Sequence, residues 1–232
     1  MRPILIFRHA PEDGPGYFAR FLERERLSYR LIRVDVGEAI PERIGEAAGL
    51  VFMGGPQSVN DPLDWIPGAL RLIRDAVESD LPVLGHCLGG QLLSKALGGQ
   101  VQASPAEEVG WLGVRKVPGP AASSWLSSLP EEFTVFQWHR ESFSIPPGCE
   151  RLLESDGCPN QGFAVGRSLG LQCHIEMLAE MVGEWTADGD LLARASATVQ
   201  TPDQILADLQ DRVEGLHRVA DRLYGRWLQG VT

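Results

Sequence analysis

The sequence lacks a long apolar run, a cysteine pair of the CxxC type and an excess of basic residues. No apolar stretch approaches the ~18 residues that a membrane-spanning helix needs, so we expect no membrane association. Asp and Glu number 31 against 21 Lys and Arg, which gives a formal net charge of −10. A surface this acidic repels phosphate backbones, so nucleic acid is not expected as a partner.

Four cysteines occur, at Cys87, Cys149, Cys158 and Cys173. The apolar run near the N-terminus is too short for a secretory signal, and disulfides are typical of secreted proteins. We therefore expect reduced thiols and a cytoplasmic protein. No cysteine or histidine pair has the spacing of a zinc ribbon or of an HExxH helix, so the sequence predicts no metal site and no organic cofactor.

Short apolar segments alternate with amphipathic segments over the first hundred residues. The segments that predict strands are 3–7, 29–34, 49–53 and 81–84, and those with helical spacing are 17–27, 66–77 and 91–97. Strands that alternate with helices indicate βαβ units and a parallel sheet. Further on, the segments 113–117, 133–138, 162–165 and 169–174 are strand-like and add an antiparallel part.

The chain shows no linker, so we expect one domain over residues 1–232 with a helical extension from 180 to 232. Thr201, Pro202 and Gln204 match an N-cap, a first helical position and a capping box. One apolar stripe then continues from Ile205 to Trp227. Such a stripe fits either a helix packed across the domain or the face of a homodimer.

The most informative segment is Gly85-His86-Cys87-Leu88-Gly89, between a predicted strand and a predicted helix. Glycine two residues before and two after a nucleophile permits a sharp turn where a Cβ would clash. The cysteine then lies at a helix N-terminus, whose dipole favours a thiolate. The alternative is a buried cysteine with a packing role.

His174 and Glu176 are candidate partners for that cysteine. In an extended chain, residues two apart point to the same side, so the carboxylate can orient the imidazole. The imidazole can then act as the base for Cys87. A surface pair without chemistry is the alternative interpretation of a single His-x-Glu.

Several segments in the same order resemble those of the class I glutamine amidotransferases, close to the stand-alone GMP-synthase-like group. They are HAPEDGPG at 9–16, MGGPQSVND at 53–61, GHCLGGQ at 85–91, FQWHRESF at 136–143, NQGFAVG at 160–166 and GLQCHIE at 170–176. The resemblance covers residues 9–176 and leaves the chain beyond about residue 180 unassigned. It implies a flavodoxin-like, doubly wound α/β fold with helices on both faces of a mostly parallel sheet.

The resemblance also implies roles for individual residues. Cys87 would attack the side-chain amide of glutamine and give a γ-glutamyl thioester and ammonia, with His174 as acid and base and Glu176 as its orienter. The remaining implied roles are an oxyanion hole from the backbone of Gly55 and Leu88, a hydrogen bond from Gln91 to the bound glutamine, and backbone contacts to substrate from Glu141, Ser142 and Phe143.

The sequence departs from the family pattern at Ile175, where proline is usual between the histidine and the glutamate. Both functional groups remain, so we expect activity to survive. We expect His86 and Cys173 to have packing roles; the alternatives are that His86 tunes the pKa of the Cys87 thiol and that Cys173 is a redox partner. His9 and Glu12 fit either a lid beside the substrate or a hydrogen bond that stabilises their loop. Trp111 and Trp138 fit either pocket walls or ordinary core residues.

Three functions remain open at this point. The first is hydrolysis of glutamine, with ammonia passed to a separate synthetase, because no phosphate-binding glycine motif such as a P-loop occurs in the sequence. The second is hydrolysis of another γ-glutamyl amide, with the loops at 61–67 and 185–201 setting how far the pocket opens. The third is a non-catalytic regulatory homologue, which the complete Cys87–His174–Glu176 set argues against.

Overall fold

Nine strands form one mixed sheet in the computed structural model, which describes residues 2–187 and 195–231. The strands are β1 (Ile4–Arg8), β2 (Tyr29–Arg33), β3 (Gly49–Phe52), β4 (Val83–His86), β5 (Val101–Lys116), β6 (Glu132–Phe143), β7 (Glu150–Glu154), β8 (Gly162–Val165) and β9 (Ser168–Leu171). Their order across the sheet is β2-β1-β3-β4-β9-β8-β7-β5-β6. Strands β2, β1, β3, β4 and β9 are parallel neighbours, and the other pairings are antiparallel.

Helices cover both faces of the sheet. They are α1 (Gly16–Arg24), α2 (Trp65–Glu78), α3 (Leu88–Ala96), α4 (Pro120–Trp125), α5 (Ala179–Ala187), α6 (Pro202–Leu206) and α7 (Leu209–Leu228). Along β1, Ile6 packs in a core cluster with Phe18 and Trp227, whereas Phe7 packs in a second cluster with Leu92. Since successive side chains of a strand point to opposite faces, α1 and α7 lie on one side and α3 on the other. The doubly wound α/β prediction is confirmed.

Strands β5 and β7 depart from the sequence prediction. Strand β5 begins at Val101, well before the predicted segment 113–117, and pairs with β6 through a register shift between Ala103 and Glu108. Residues 102–107 are all exposed or half-buried, and none of them has a large apolar side chain, so no apolar pattern predicts a strand there. Strand β7 was not predicted. Its five residues contain only a short apolar pair, and it is held by pairing to β8 and to the end of β5.

The C-terminal region contains two helices where the sequence predicts one continuous stripe. The capping box is present: Thr201 Oγ1 accepts from the Gln204 N–H, and Gln204 Oε1 accepts from the Thr201 N–H. Helix α6 ends at Leu206; its C-cap, Ala207, is extended with a ψ of 132°, and Asp208 is left-handed with a φ of 51°. The apolar spacing continues through this break, so periodicity does not reveal it.

The apolar stripe of α7 is buried within the chain. Its buried residues are Val213, Leu216, Val219, Ala220, Leu223, Tyr224 and Trp227. The Trp227 ring is so close to Gly49 that a Cβ there would come within 2.9 Å of it. The stripe therefore packs across the domain, which is the first of the two alternatives. Among the described residues, no helix is long and apolar enough to cross a membrane.

Candidate active site

Cys87 occupies a sharp turn between strand β4 and helix α3. Its backbone has a φ of 49° and a ψ of −108°, which is rare for a residue with a Cβ and is typically found at functional sites. The Cys87 N–H donates to the Leu171 carbonyl at 2.8 Å, so strand β9 holds the turn in place. The side chain is 7% exposed and borders the main cavity.

The two flanking glycines make this turn sterically feasible. A Cβ on Gly85 would overlap the backbone of Gly89, and a Cβ on Gly89 would overlap the carbonyl oxygen of Phe52. Helix α3 therefore approaches strands β3 and β4 more closely than any side chain would allow. This geometry agrees with the strand–turn–helix prediction for the segment around Cys87.

His174 and Glu176 are brought together beside this turn. His174 Nδ1 lies 2.7 Å from Glu176 Oε1, and the two residues are 1% and 2% exposed. The His174 N–H donates to the Phe136 carbonyl at 2.8 Å, and the Glu176 carbonyl accepts from the Tyr17 N–H at 2.7 Å. The backbone of both residues is thus held in place by hydrogen bonds to strand β6 and helix α1. The alternative interpretation, a surface pair, does not apply, because both residues are buried.

The charges of this pair stabilise each other. Burial alone would lower the pKa of His174, but the charges on Glu176 and Cys87, with a hydrogen bond to each, raise it well above 6.5. Burial alone would raise the pKa of Glu176, but the charges of His86 and His174 and the hydrogen bond from His174 lower it to about 2. The arrangement favours an ionised carboxylate and a protonated imidazole that has a hydrogen bond to the Cys87 sulfur.

A cavity of about 680 Å³ opens over Cys87 and His174. Gln91, Trp138 and Trp185 form part of its wall. Its carboxylates are those of Glu12, Asp13, Asp61, Glu141 and Glu184, and its Arg side chain is that of Arg140. The described wall is therefore acidic. Of the predicted loop 185–201, residues 188–194 lie outside the described residues.

The two predicted oxyanion-hole residues and Gln91 lie at or beside the cavity. Gly55 and Gln91 line the cavity. Leu88 is the first residue of α3, and a Cβ on Gly55 would come within 2.7 Å of its side chain, so the two predicted oxyanion-hole residues are neighbours. The Gln91 side-chain amide donates to the Glu141 carbonyl at 3.2 Å and to Gln172 Oε1 at 3.3 Å.

Glu141 lines the cavity, whereas Ser142 and Phe143 are not among the described lining residues. The Ser142 hydroxyl donates to the Asn160 carbonyl at 3.3 Å, and the Phe143 ring packs edge-on against Phe163. The side chains of Ser142 and Phe143 are thus engaged away from the described cavity wall, and the backbone contacts of this stretch with substrate stay a prediction.

The residues for which two interpretations were open have different positions in the structure: some line the cavity and others do not. His9 Nδ1 lies 3.1 Å from the Met53 carbonyl and so stabilises the loop after β3, whereas Glu12 lines the cavity. Trp138 lines the cavity, but Trp111 is 4% exposed and its Nε1–H donates to the Ile205 carbonyl. Trp111 is thus a core residue.

Sequence reasoning missed the role of Gln172. Its Nε2 lies 3.5 Å from the Cys87 Sγ, so the amide can donate to a thiolate. The signal was present in the motif, because Gln172 precedes His174 by two residues and alternation puts both on one face. Cys173, between them, is fully buried, and burial raises the pKa of its thiol, in agreement with a packing role.

Asp13 was also missed. Its carboxyl lies near the His174 ring, since a Cβ on Gly54 would be 3.0 Å from both Asp13 Oδ1 and His174 Cε1. Burial raises the pKa of Asp13 to about 7; the charge of His174 opposes this increase, and the charge of Glu176 adds to it. No sequence signal distinguishes Asp13 from the other acidic residues of its loop, since the shift depends on residues from other segments.

Comparison with known proteins identifies the family. The model of the family described as glutamine amidotransferase class-I matches residues 18–184. This chain belongs to the class I glutamine amidotransferases. It is 30% identical over 210 residues to the glutamine amidotransferase-like protein YfeJ of Salmonella typhimurium, covering 88% of this chain and 82% of that protein.

Other class I amidotransferases extend the comparison. A GMP synthase of Aeropyrum pernix is 32% identical over 181 residues, which are 77% of this chain but 33% of that protein. Among solved structures, a glutamine amidotransferase of Methylobacillus flagellatus is 42% identical, with a TM-score of 0.95 over 100% of this chain and 96% of that one. One from Thermotoga maritima is 27% identical, with a TM-score of 0.87 over 98% of each chain.

Proposed function

We propose that this protein hydrolyses the side-chain amide of glutamine, with Cys87 as nucleophile, His174 as acid and base, and Glu176 as the group that orients His174. The observation that carries the proposal is the strained turn that presents Cys87 to a buried His174–Glu176 pair. A thiol, an imidazole and a carboxylate in this order form the triad used in nucleophilic acyl transfer.

In the first half of the reaction, the Cys87 thiolate attacks the side-chain carbonyl carbon of glutamine. The carbonyl oxygen gains negative charge, and the backbone N–H groups of Gly55 and Leu88 stabilise it. When the C–N bond breaks, His174 donates its proton to the leaving nitrogen. The products are ammonia and a γ-glutamyl thioester on Cys87.

In the second half, the now neutral His174 takes a proton from water, which attacks the thioester carbonyl. The C–S bond breaks, glutamate leaves, and Cys87 returns to a thiolate beside a protonated His174. Glu176 stays ionised throughout, because its low pKa keeps it a carboxylate at neutral pH. Its oxygen, 2.7 Å from Nδ1, keeps the proton on that nitrogen and so leaves Nε2 for the chemistry.

The proposal is tested by steady-state hydrolysis of glutamine with the purified protein, beside a Cys87→Ala variant. We expect turnover within the typical enzyme range of ~1–10³ per second, abolished in the variant. Cys149→Ala is the matched control, because Cys149 lies outside the described cavity wall, and it should hydrolyse glutamine like the wild type. Equal rates in the wild type and Cys87→Ala would refute the mechanism.

A second candidate function is favoured by the size of the cavity. Its volume of about 680 Å³ lies within the range of about 300–1,000 Å³ that accommodates drug-sized ligands. A γ-glutamyl amide with a larger amine would use the same triad and release that amine instead of ammonia. A higher kcat/KM for γ-glutamyl conjugates than for glutamine would favour this substrate class over glutamine.

The destination of the ammonia is part of the proposal. Relatives with the name GMP synthase, including a GMP synthase subunit of Methanococcus maripaludis that is 35% identical over 114 residues, suggest a separate synthetase that accepts it. A partner of this kind should increase glutamine hydrolysis when added to the purified protein. Copurification from the native cells, followed by the hydrolysis assay, tests this.

A further inference from the structure

A second buried histidine–carboxylate pair lies beside the cavity, apart from His174 and Glu176. His139 Nε2 is 3.1 Å from Glu108 Oε2, and the two residues are 4% and 1% exposed. His139, on β6, belongs to the cavity wall, and Glu108 comes from the neighbouring strand β5. A buried carboxylate costs free energy unless other groups compensate it.

Both oxygens of the Glu108 carboxylate are compensated. The Ser155 hydroxyl donates to Oε1 at 2.7 Å, and the Gln161 side-chain amide donates to Oε2, the oxygen that faces His139. Ser155 and Gln161 are themselves buried. The Gln161 amide also donates to Ser155 Oγ at 3.1 Å, so the two groups around the carboxylate are hydrogen-bonded to each other, and together they hold the imidazole of His139 in one orientation.

The other ring nitrogen of His139, Nδ1, lies 3.2 Å from the Glu141 carbonyl oxygen. The ring therefore faces an acceptor on each side, a carboxylate and a carbonyl. His139 thus connects the Glu108 carboxylate to the Glu141 carbonyl through its two ring nitrogens.

The Glu141 carbonyl connects this pair to the nucleophile. It also accepts from the Gln91 side-chain amide at 3.2 Å, and that amide donates to Gln172 Oε1 at 3.3 Å. Gln172 Nε2 in turn lies 3.5 Å from the Cys87 Sγ. A continuous row of side-chain and carbonyl contacts thus extends from Glu108 to Cys87 along one wall of the site.

We propose that Glu108 and His139 are positioning residues that hold the edge of the site where the amino-acid end of the substrate binds. They fix the Glu141 carbonyl and, through it, the orientation of the Gln91 amide. The inference rests on the proposed function, because it takes the substrate to be an α-amino acid with a γ-amide. It places the effect on substrate binding and not on the attack by Cys87.

Steady-state kinetics separate these two effects. In Glu108→Gln the side chain has one acceptor oxygen instead of two, so one contact of the network is lost and the imidazole of His139 is no longer held against the Glu141 carbonyl. We expect the KM for glutamine to rise about tenfold while kcat stays within about twofold of the wild type. The matched control is Glu154→Gln, a half-buried glutamate of β7 outside the site, which should leave both constants unchanged.

Covalent labelling of Cys87 gives a readout that does not depend on turnover. A chloroketone analogue of glutamine carries the amino-acid end, whereas iodoacetamide does not, and both alkylate a reactive thiol. At low reagent concentration, the wild type and Glu154→Gln should react faster with the chloroketone than with iodoacetamide. In Glu108→Gln the ratio of these two rates should fall about tenfold. The rate of this variant with iodoacetamide should match the wild type, which also shows that the site is folded.

The outcomes separate the two proposals. If Glu108→Gln keeps the wild-type preference and KM, the positioning role is wrong and the glutamine proposal stands. If the wild type itself shows no preference for the chloroketone, glutamine is the wrong substrate, and the positioning role is overturned with it. Should Glu108→Gln fail to fold, His139→Gln is expected to lose the preference in the same way, and a retained preference there would equally overturn the inference.

Discussion

The Tyr224 hydroxyl lies 3.1 Å from His86 Nε2, and that nitrogen lies 3.8 Å from Glu176 Oε2. Tyr224 comes from α7, so the C-terminal region, which no sequence motif connects to the family, reaches the carboxylate of Glu176 through His86. Both aromatic side chains are fully buried, and burial lowers the pKa of His86. His86 is thus a packing residue, as predicted, that lies outside the described cavity wall and near Glu176.

Replacing Tyr224 by Phe tests this contact. The ring would stay in place, but His86 Nε2 would lose its hydrogen-bond partner inside the core. We expect the free energy of unfolding to fall by about 1–3 kcal/mol, the cost of leaving a buried polar group unsatisfied. Urea denaturation measures it. Tyr29→Phe is the control, because the hydrogen bond that the structure describes for the Tyr29 hydroxyl goes to the exposed side chain of Glu23, and the effect should stay within about 0.5 kcal/mol.

Replacing Glu176 by Gln tests the orienting carboxylate. The amide keeps the shape of the side chain but removes the charge that raises the pKa of His174, and it no longer fixes the proton on Nδ1. We expect kcat for glutamine hydrolysis to fall by about 10²–10⁴-fold. Glu180→Gln is the control, since Glu180 is an exposed residue of α5 that pairs with Arg20. A kcat for Glu176→Gln as high as that for Glu180→Gln would show that the carboxylate does not assist His174.

Asp13 makes the stability of the protein depend on pH. Its pKa is about 7 in the fold and 3.8 for an ordinary aspartate, so the folded state binds more protons than the unfolded state. The stabilisation is complete below pH 3.8 and is lost as the pH rises through about 7. In Asp13→Asn this loss should be absent. Urea denaturation at about pH 5 and about pH 8 measures the difference.

The control for Asp13→Asn is Asp64→Asn, which changes an exposed carboxylate at the start of α2. It should keep the wild-type difference between the two pH values. If Asp13→Asn also kept that difference, another group would be responsible for it.

Replacing Gly89 by Ala tests the close approach of α3 to the sheet. The new methyl group would overlap the Phe52 carbonyl, so either the helix or the strand must move, and Cys87 with it. We expect a loss of stability of about 1–3 kcal/mol and a large loss of hydrolysis. Gly225→Ala is the control, because a Cβ there has nothing within 4 Å, and alanine in this helix should stabilise by about 0.5–1 kcal/mol. Equal behaviour of the two variants would contradict the steric explanation.

Much of the fold follows from short-range rules that the sequence displays. The parallel strands are short apolar runs between amphipathic helices, and the Thr201 cap needs only a neighbour at Gln204. The strand-to-helix turn at Cys87 is marked by the glycines at 85 and 89. Each of these features is marked by residues that are close in the chain, and for that reason the sequence predicted all of them.

Strand β7 and the break at Asp208 are not determined by the local sequence. The pattern of β7 is weak, and its pairing with β8 and β5 holds it extended. At Asp208 the left-handed backbone interrupts a stripe whose apolar spacing remains helical. In both places contacts with the rest of the domain decide the conformation, so the apolar spacing of the sequence did not predict it.

The sequence by itself determined the family, the order of the main elements and the candidate triad of Cys87, His174 and Glu176. Only the tertiary structure brought Asp13 near His174, Tyr224 to His86, and Glu108 to His139. These groups come from segments far apart in the chain, and their protonation and hydrogen bonds depend on burial and on neighbouring charges. Burial and neighbours exist only once the chain has folded.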